Sequence, residues 1–308
     1  MPRHLATAAL LLAAARAASA QSPSHDPSTG SGQRMADMPG MHHAPASVSA
    51  AARRQIDTVA RAVASLGTPA AAAAAGLHPV FGWIPTMGVH WVDRSTMTKA
   101  AQSERGRPGQ LMFSRIAGKD SLVGAAYGYF APVGDSTPPR LFDGSPAWHE
   151  HPDLAPEGQT LVMLHVWFVP SPDGPFAGTN PNLPFWAVGL AAPDSARMHD
   201  PAFSDLVRRA SLALAEVADT SAFFPRLEGR PDVRPVLVAR RDSVRALIPE
   251  LQAAERTKDA RRWERGAARL AAQWDAMFAA YVASTRTADG RMRVERFVAT
   301  MLGQHGER

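Results

Sequence analysis

The sequence predicts an α+β fold with an antiparallel sheet of three to five strands, flanking helices and a helical C-terminal region. Strand-forming segments at residues 110–130 and 160–169 are separated by turns and long loops in the middle of the chain. After residue 201, apolar side chains instead recur at helical spacing. The 308 residues, 45% of them hydrophobic, are enough to bury the core of one or two domains.

Two N-terminal segments precede the predicted domain. Residues 1–20 contain Arg3, an alanine- and leucine-rich run and the small-x-small sequence Ala18-Ser19-Ala20, which together predict a secretory signal peptide. Neither this run nor any later apolar stretch is long enough to span a bilayer. We therefore expect an exported protein, periplasmic or extracellular, with no transmembrane segment after signal cleavage. Residues 21–48 are rich in Ser, Pro, Gly and His, a composition typical of a disordered linker.

The linker contains a dense group of methionine and histidine residues, which we call the Met/His tail. Its members are Met35, Met38, Met41, His42 and His43. Thioether sulfur favours copper, and imidazole binds copper in either oxidation state, so the tail is a candidate copper ligand set that delivers ions to a folded site. A flexible tether of biased composition is the alternative interpretation.

Residues 49–200 are expected to form the α+β domain. Helical periodicity that ends at Gly67 predicts a first helix, and Thr68-Pro69 begins a short alanine-rich helix. Residues 77–93 are rich in Pro, Gly and aromatic side chains and are expected to form ordered irregular chain. A hairpin is predicted around residues 117–120, the strongest strand over 160–169, and a last strand over 183–190.

Residues 201–308 are predicted to form a helical region packed on this domain or appended to it. One amphipathic helix is expected over residues 203–219, a second from Asp242 with a kink at Pro249, and a short last helix near 294–301. Between these, apolar residues over 263–281 alternate in steps of four and three, which predicts a third helix packed against a neighbour.

Composition excludes several kinds of chemistry. The chain has no cysteine, and hence no thiolate nucleophile, Cys-ligated zinc, iron–sulfur cluster or disulfide. Its net charge of +5 arises in residues 203–308, where 19 Lys and Arg face 14 Asp and Glu, whereas residues 1–202 carry 14 of each sign. This mixture indicates solvated helical faces rather than a nucleic-acid-binding stripe. A serine nucleophile elbow of the G-x-S-x-G type is also missing from the sequence.

Four histidines, each close to a tryptophan, are the main candidate site. His90, His149, His151 and His165 lie within 76 residues, and the tryptophans beside them are Trp91, Trp148 and Trp167. Imidazole is a common metal ligand, and the indole rings are expected to form an apolar pocket wall. Alternatively, each histidine is a core, loop-fixing or solvated residue that binds no metal.

Strand geometry predicts how these histidines meet. Side chains at positions i and i+2 of a strand share a face, so an extended segment would direct His149 and His151 to one ion. A set of neutral imidazoles suits zinc or copper, and with a carboxylate it also suits iron. Glu150 and Glu157 are the candidates for orienting a ligand or for acid–base chemistry.

Two resemblances bear on this site. His149-Glu150-His151 followed by Glu157 is similar to the cupin metal motif, but the glutamate spacing is longer and prolines interrupt the segment. MGVHW at residues 87–91 and LHVWFVPSPDGPFAGTNPN at 164–182 resemble uncharacterised exported bacterial proteins that share Met-Gly-x-His-aromatic and Leu-His-Val-Trp segments. This second resemblance covers residues 50–190. It implies a site at His90 and His165 and no particular activity.

The sequence thus predicts an exported metal-binding protein that handles copper or zinc through a clustered histidine site. A metal-dependent hydrolase or oxidoreductase that uses the same histidines is one alternative. A binding or interaction module in which the histidines hold loops without any metal is the other. The two metal-binding hypotheses require the imidazoles to lie close together in the folded protein, whereas the third does not.

Overall fold

A computed structural model describes residues 48–134, 137–144, 146, 148–151, 154–218, 233–285, 291 and 295. Within these residues, one antiparallel sheet has the strand order β1-β2-β3-β4-β6-β5. Its strands are β1 (His78–Ile84), β2 (Gly88–Val92), β3 (Gln110–Ile116), β4 (Lys119–Pro132), β5 (His149–His151) and β6 (Gln159–Trp167). The helices are α1 (Ala50–Ala62), α2 (Pro69–Ala74), α3 (Asn182–Ala187), α4 (Pro201–Ala215), α5 (Arg234–Thr257) and α6 (Ala260–Ser284).

The predicted class, an antiparallel sheet with C-terminal helices, is confirmed, but the prediction of three to five strands is wrong. The sheet has six strands in the described residues because the segment expected to be irregular forms the β1–β2 hairpin. Pro79 is tolerated because β1 is an edge strand of the sheet that the described residues form, and Gly82 has a positive φ of 70° where the register shifts.

Two further local predictions need correction. Residues 183–190, expected to be a strand, form helix α3 and the turn after it. Their apolar run is buried against helices and sheet alike, and such a run does not distinguish a short buried helix from a strand by periodicity. Helix α5 begins at Arg234 rather than Asp242, with Pro235 in its first turn, and continues through Pro249. The last predicted helix lies largely outside the described residues.

The sheet has a helix-covered face, formed by alternate residues of its central strands. Leu111 and Phe113 of β3, Tyr127 of β4, and Leu164 and Val166 of β6 are buried there. Apolar residues of α1 and α2 complete this layer: Ile56, Val59, Val63 and Ala72. Serine and threonine N-caps, Ser49 and Thr68, accept from backbone N–H groups and fix where the two helices begin.

Helices α4, α5 and α6 form a second core. Leu212, Leu251, Leu270 and Trp274 are almost completely buried in it. At the end of α4, Trp83 of β1 packs with Ala215, which joins this core to the sheet. None of the helices in the described ranges has both the length and the apolar character that crossing a membrane requires.

Candidate functional site

The face of the sheet opposite α1 and α2 carries the four predicted histidines in one row. The ring centroids of His90 and His165 are 5.4 Å apart, those of His165 and His149 are 5.0 Å apart, and those of His149 and His151 are 4.8 Å apart. His90 and His165 are buried, whereas His149 and His151 are partly exposed on the edge strand β5. We call these four side chains the histidine row; it runs from the sheet edge into the interior.

His90 and His165 meet across two intervening strands, which requires a curved sheet. They lie on β2 and β6, with β3 and β4 between them. In a flat sheet, three strand spacings would separate their backbones by about 14 Å, too far for the two rings to touch. The register shifts between Met112 and Phe113, and β-bulges of this kind bend a sheet locally.

Small residues on β4 leave room above the middle of the sheet. Gly124, Ala126 and Gly128 alternate along the strand, so they share the face of the histidine row. Ala126 is the register partner of His165. A Cβ at Gly124 would lie 2.5 Å from the methyl carbon of Met112, so side chains from neighbouring strands occupy the space above β4.

The buried pair is joined by a hydrogen bond. Nε2 of His90 and Nε2 of His165 are 3.2 Å apart, so one ring donates its proton and the other accepts. Burial lowers the pKa of His90 from 6.5 to about 4, repulsion from His149 adds to the shift, and the backbone of Gly88 opposes it. His90 is therefore a neutral imidazole at neutral pH, the form that binds metals.

The other ring nitrogen of His90 is poorly satisfied. No atom of the described residues forms a hydrogen bond of normal geometry with the buried Nδ1, even though the Gly88 backbone is close enough to influence the pKa. A buried nitrogen without a good partner costs free energy. Nδ1 of His90 is thus a buried polar atom whose interaction with the Gly88 backbone is weak.

The separation of the two Nε2 atoms matches that of ligands on one ion. Nitrogens about 2.0–2.1 Å from a tetrahedral zinc ion lie about 3.3 Å from each other. However, no group of three or more histidine or carboxylate side chains in the described part of the chain is arranged to hold a metal as it stands. A third ligand would require His149 to rotate toward the buried pair.

The three tryptophans predicted to form the pocket wall lie on different faces of the sheet. Trp167 follows His165 by two residues, shares its face and has its ring centroid 6.1 Å away. Trp91 packs against Phe113 and Trp148 against Tyr129, both on the helix-covered face. Adjacent residues of a strand point to opposite faces, which separates Trp91 and Trp148 from the histidines beside them in sequence.

The two candidate glutamates are placed away from the buried pair. Glu150 lies between His149 and His151 on β5, so strand alternation directs it to the other face, and it is exposed. Glu157 is exposed in the turn before β6. The Met/His tail lies outside the described residues.

Two buried methionines on this face were not among the site residues that the sequence predicts. Met112 of β3 pairs in register with His90, and Met163 of β6 pairs with His149; both are buried. Their strand positions, two residues from His165 in the case of Met163, are the signal that identifies them. Comparisons of the chain with family models, curated proteins and solved structures return no match, so the geometry and chemistry of this site alone bear on function.

Proposed function

We propose that this chain is an exported metal-binding protein that handles copper or zinc through the histidine row. The observation that carries the proposal is the 3.2 Å separation of the buried Nε2 atoms of His90 and His165. Two imidazole nitrogens at this distance are preorganised to share one ion. The N-terminal sequence, with its basic start, apolar run and Ala18-Ser19-Ala20, supports export.

The ion would occupy the interior end of the row and recruit its third ligand from β5. His149 is the neighbour of His165, with the two ring centroids 5.0 Å apart, so it is the third ligand that we propose. His151 lies next along the row and would bind the ion first as it enters from the solvent. An all-nitrogen set of this kind favours copper(II) and zinc over calcium or magnesium.

The placement of the glutamates gives the enzyme alternative no specific support. A metal-bound water would need a base near the ion, and Glu150 is directed to the opposite face of β5. The function we advance is therefore metal binding.

Titration of the full-length, untagged protein tests the proposal. The parent protein for this test is a tail variant, in which Met35, Met38 and Met41 become Leu and His42 and His43 become Gln. It is depleted of metal and then titrated with zinc and with copper(II). We expect one tightly bound ion per chain. His165→Gln should abolish this binding, whereas His199→Gln, an exposed histidine outside the row, should leave it unchanged.

Two results would overturn the proposal. One is equal binding by the His165→Gln variant and the parent protein, which would place the ion elsewhere. The other is no stoichiometric binding of either metal by the parent, which would favour a module whose histidines hold the strands together through their hydrogen bond. Circular dichroism of each variant separates lost binding from lost folding.

A further inference from the structure

The ring separations along the histidine row are all close to that of two imidazoles bound to one ion. The nitrogen of a bound imidazole lies about 2.0–2.1 Å from zinc, which places the ring centroid about 3.2 Å from the ion. Two such rings at the tetrahedral angle have centroids about 5.2 Å apart. The three consecutive separations in the row are 5.4 Å, 5.0 Å and 4.8 Å. Each neighbouring pair of rings therefore has the spacing of two ligands of one ion.

Exposure decreases along the row from β5 to the interior. His151 and His149 are partly exposed, whereas His165 and His90 are only 1% and 4% exposed. Leu183 of α3 is completely buried in the apolar cluster on the same face of the sheet, so a helix covers part of this face. Within the described residues, the imidazoles of the row that solvent reaches are those of β5.

The position of β5 at the sheet edge suits the capture of an ion. His149 and His151 are two residues apart on an extended strand, so their side chains share a face. In the described part of the sheet, β5 is paired on one side only. A tetrahedral ion bound by two imidazoles keeps two positions for water, and such an ion exchanges more readily than one bound by three protein ligands.

Resting on the proposed function, we propose that His149 and His151 form an outer site that captures zinc or copper(II) from solvent and passes it along the row to the buried pair. The ion is bound first by His151 and His149, then by His149 and His165, and last by His149, His165 and His90. Because His149 belongs to every set, the ion keeps at least two imidazoles throughout. In the last step the hydrogen bond between the two Nε2 atoms breaks, and the ring that donated its proton carries it on Nδ1 instead.

His151 is the residue to change, because it serves in capture and is absent from the final ligand set. In the tail variant, His151→Gln is compared with His149→Gln and with His78→Gln, which removes an exposed histidine from β1 at the opposite edge of the described sheet. Copper(II) quenches the fluorescence of nearby tryptophans, and the ring centroids of Trp167 and His165 are 6.1 Å apart. Stopped-flow fluorescence therefore follows association of copper(II), excess EDTA gives the dissociation rate, and chelator competition gives the equilibrium affinity.

We expect His151→Gln to lower the association and dissociation rate constants alike, by roughly tenfold, which corresponds to about 1.4 kcal/mol of lost stability in the outer complex. Its equilibrium affinity should stay unchanged, because the final ligand set is intact. His149→Gln should weaken the equilibrium affinity by roughly tenfold or more. His78→Gln should change neither the rates nor the affinity. Thermal melting of each variant identifies any loss that arises from poor folding.

The outcomes distinguish this inference from the function on which it rests. Unchanged rate constants in His151→Gln, with tight binding still lost in His165→Gln, would refute the outer site and leave metal binding intact. A weaker equilibrium affinity in His151→Gln would also refute the transfer, because His151 would then be a ligand of the final set. Failure of the parent to bind either ion would refute both proposals.

Discussion

Acidification should destabilise the metal-free protein through His90. In the folded chain burial lowers the pKa of His90 to about 4, whereas the unfolded chain binds a proton at the ordinary value of 6.5. Between these values the unfolded state holds more protons than the native state. The free energy of unfolding therefore falls as pH decreases from about 6.5 to about 4, and this contribution is constant below that range.

The two pKa values determine the magnitude. Their full separation corresponds to about 3 kcal/mol, of which about 2 kcal/mol is lost between pH 7.0 and pH 4.5. Because a typical domain is stable by only about 5–15 kcal/mol, a change of this size is readily measured.

Urea unfolding at the two pH values, with EDTA present, provides the assay. Carboxylates elsewhere titrate in both proteins, so the comparison is made with His90→Gln, which retains a polar side chain and cannot titrate. The parent should lose about 2 kcal/mol more than this variant on acidification. Equal losses in the two proteins would show that the His90 ring is hydrated or protonated in the native state and would refute the burial argument.

Three further substitutions test the packing around the site and the helical core. Arg241→Leu leaves the buried carboxylate of Glu216 without its 2.9 Å guanidinium contact, and urea unfolding should show a loss of about 3–5 kcal/mol. A loss below 1 kcal/mol would mean that water reaches the pair. Gly124→Ala places a Cβ 2.6 Å from the carbonyl oxygen of Val166, and calorimetry should show a lower Tm and a cost of about 1–3 kcal/mol; an unchanged Tm would contradict the tight spacing of β4 and β6. Asp200→Ala removes the N-cap of α4, and chemical denaturation should show a loss of about 1 kcal/mol, recovered in Asp200→Asn if the cap is the cause.

Much of the fold was predictable because the middle and C-terminal segments have clear periodicity. The β3–β4 hairpin has its turn at Ala117 and Gly118, as predicted, and α6 contains the apolar seam that ends near Tyr281. The β1–β2 hairpin was not predictable by the same means, because Pro79 and Gly82 are usually incompatible with strands. They are accommodated only because β1 has no neighbour on its outer side in the described sheet.

The candidate site was likewise predictable in part. The two-residue spacing of His149 and His151, and of His165 and Trp167, correctly indicates shared faces. Trp91 is next to His90 in sequence but does not lie beside its ring, because consecutive strand residues point to opposite faces of the sheet. Sequence gave no measure of sheet curvature, and the contact between His90 on β2 and His165 on β6 depends on it.

The shortness of β5 has a kinetic consequence for the proposed function. This strand contributes half of the histidine row, yet within the described residues it is three residues long and pairs only with β6. Detaching it would break few backbone hydrogen bonds and leave His90 and His165 in place. An ion bound by histidines of β2, β5 and β6 would therefore dissociate at the rate at which β5 detaches from the sheet edge. A partner that binds β5 would accelerate its transfer.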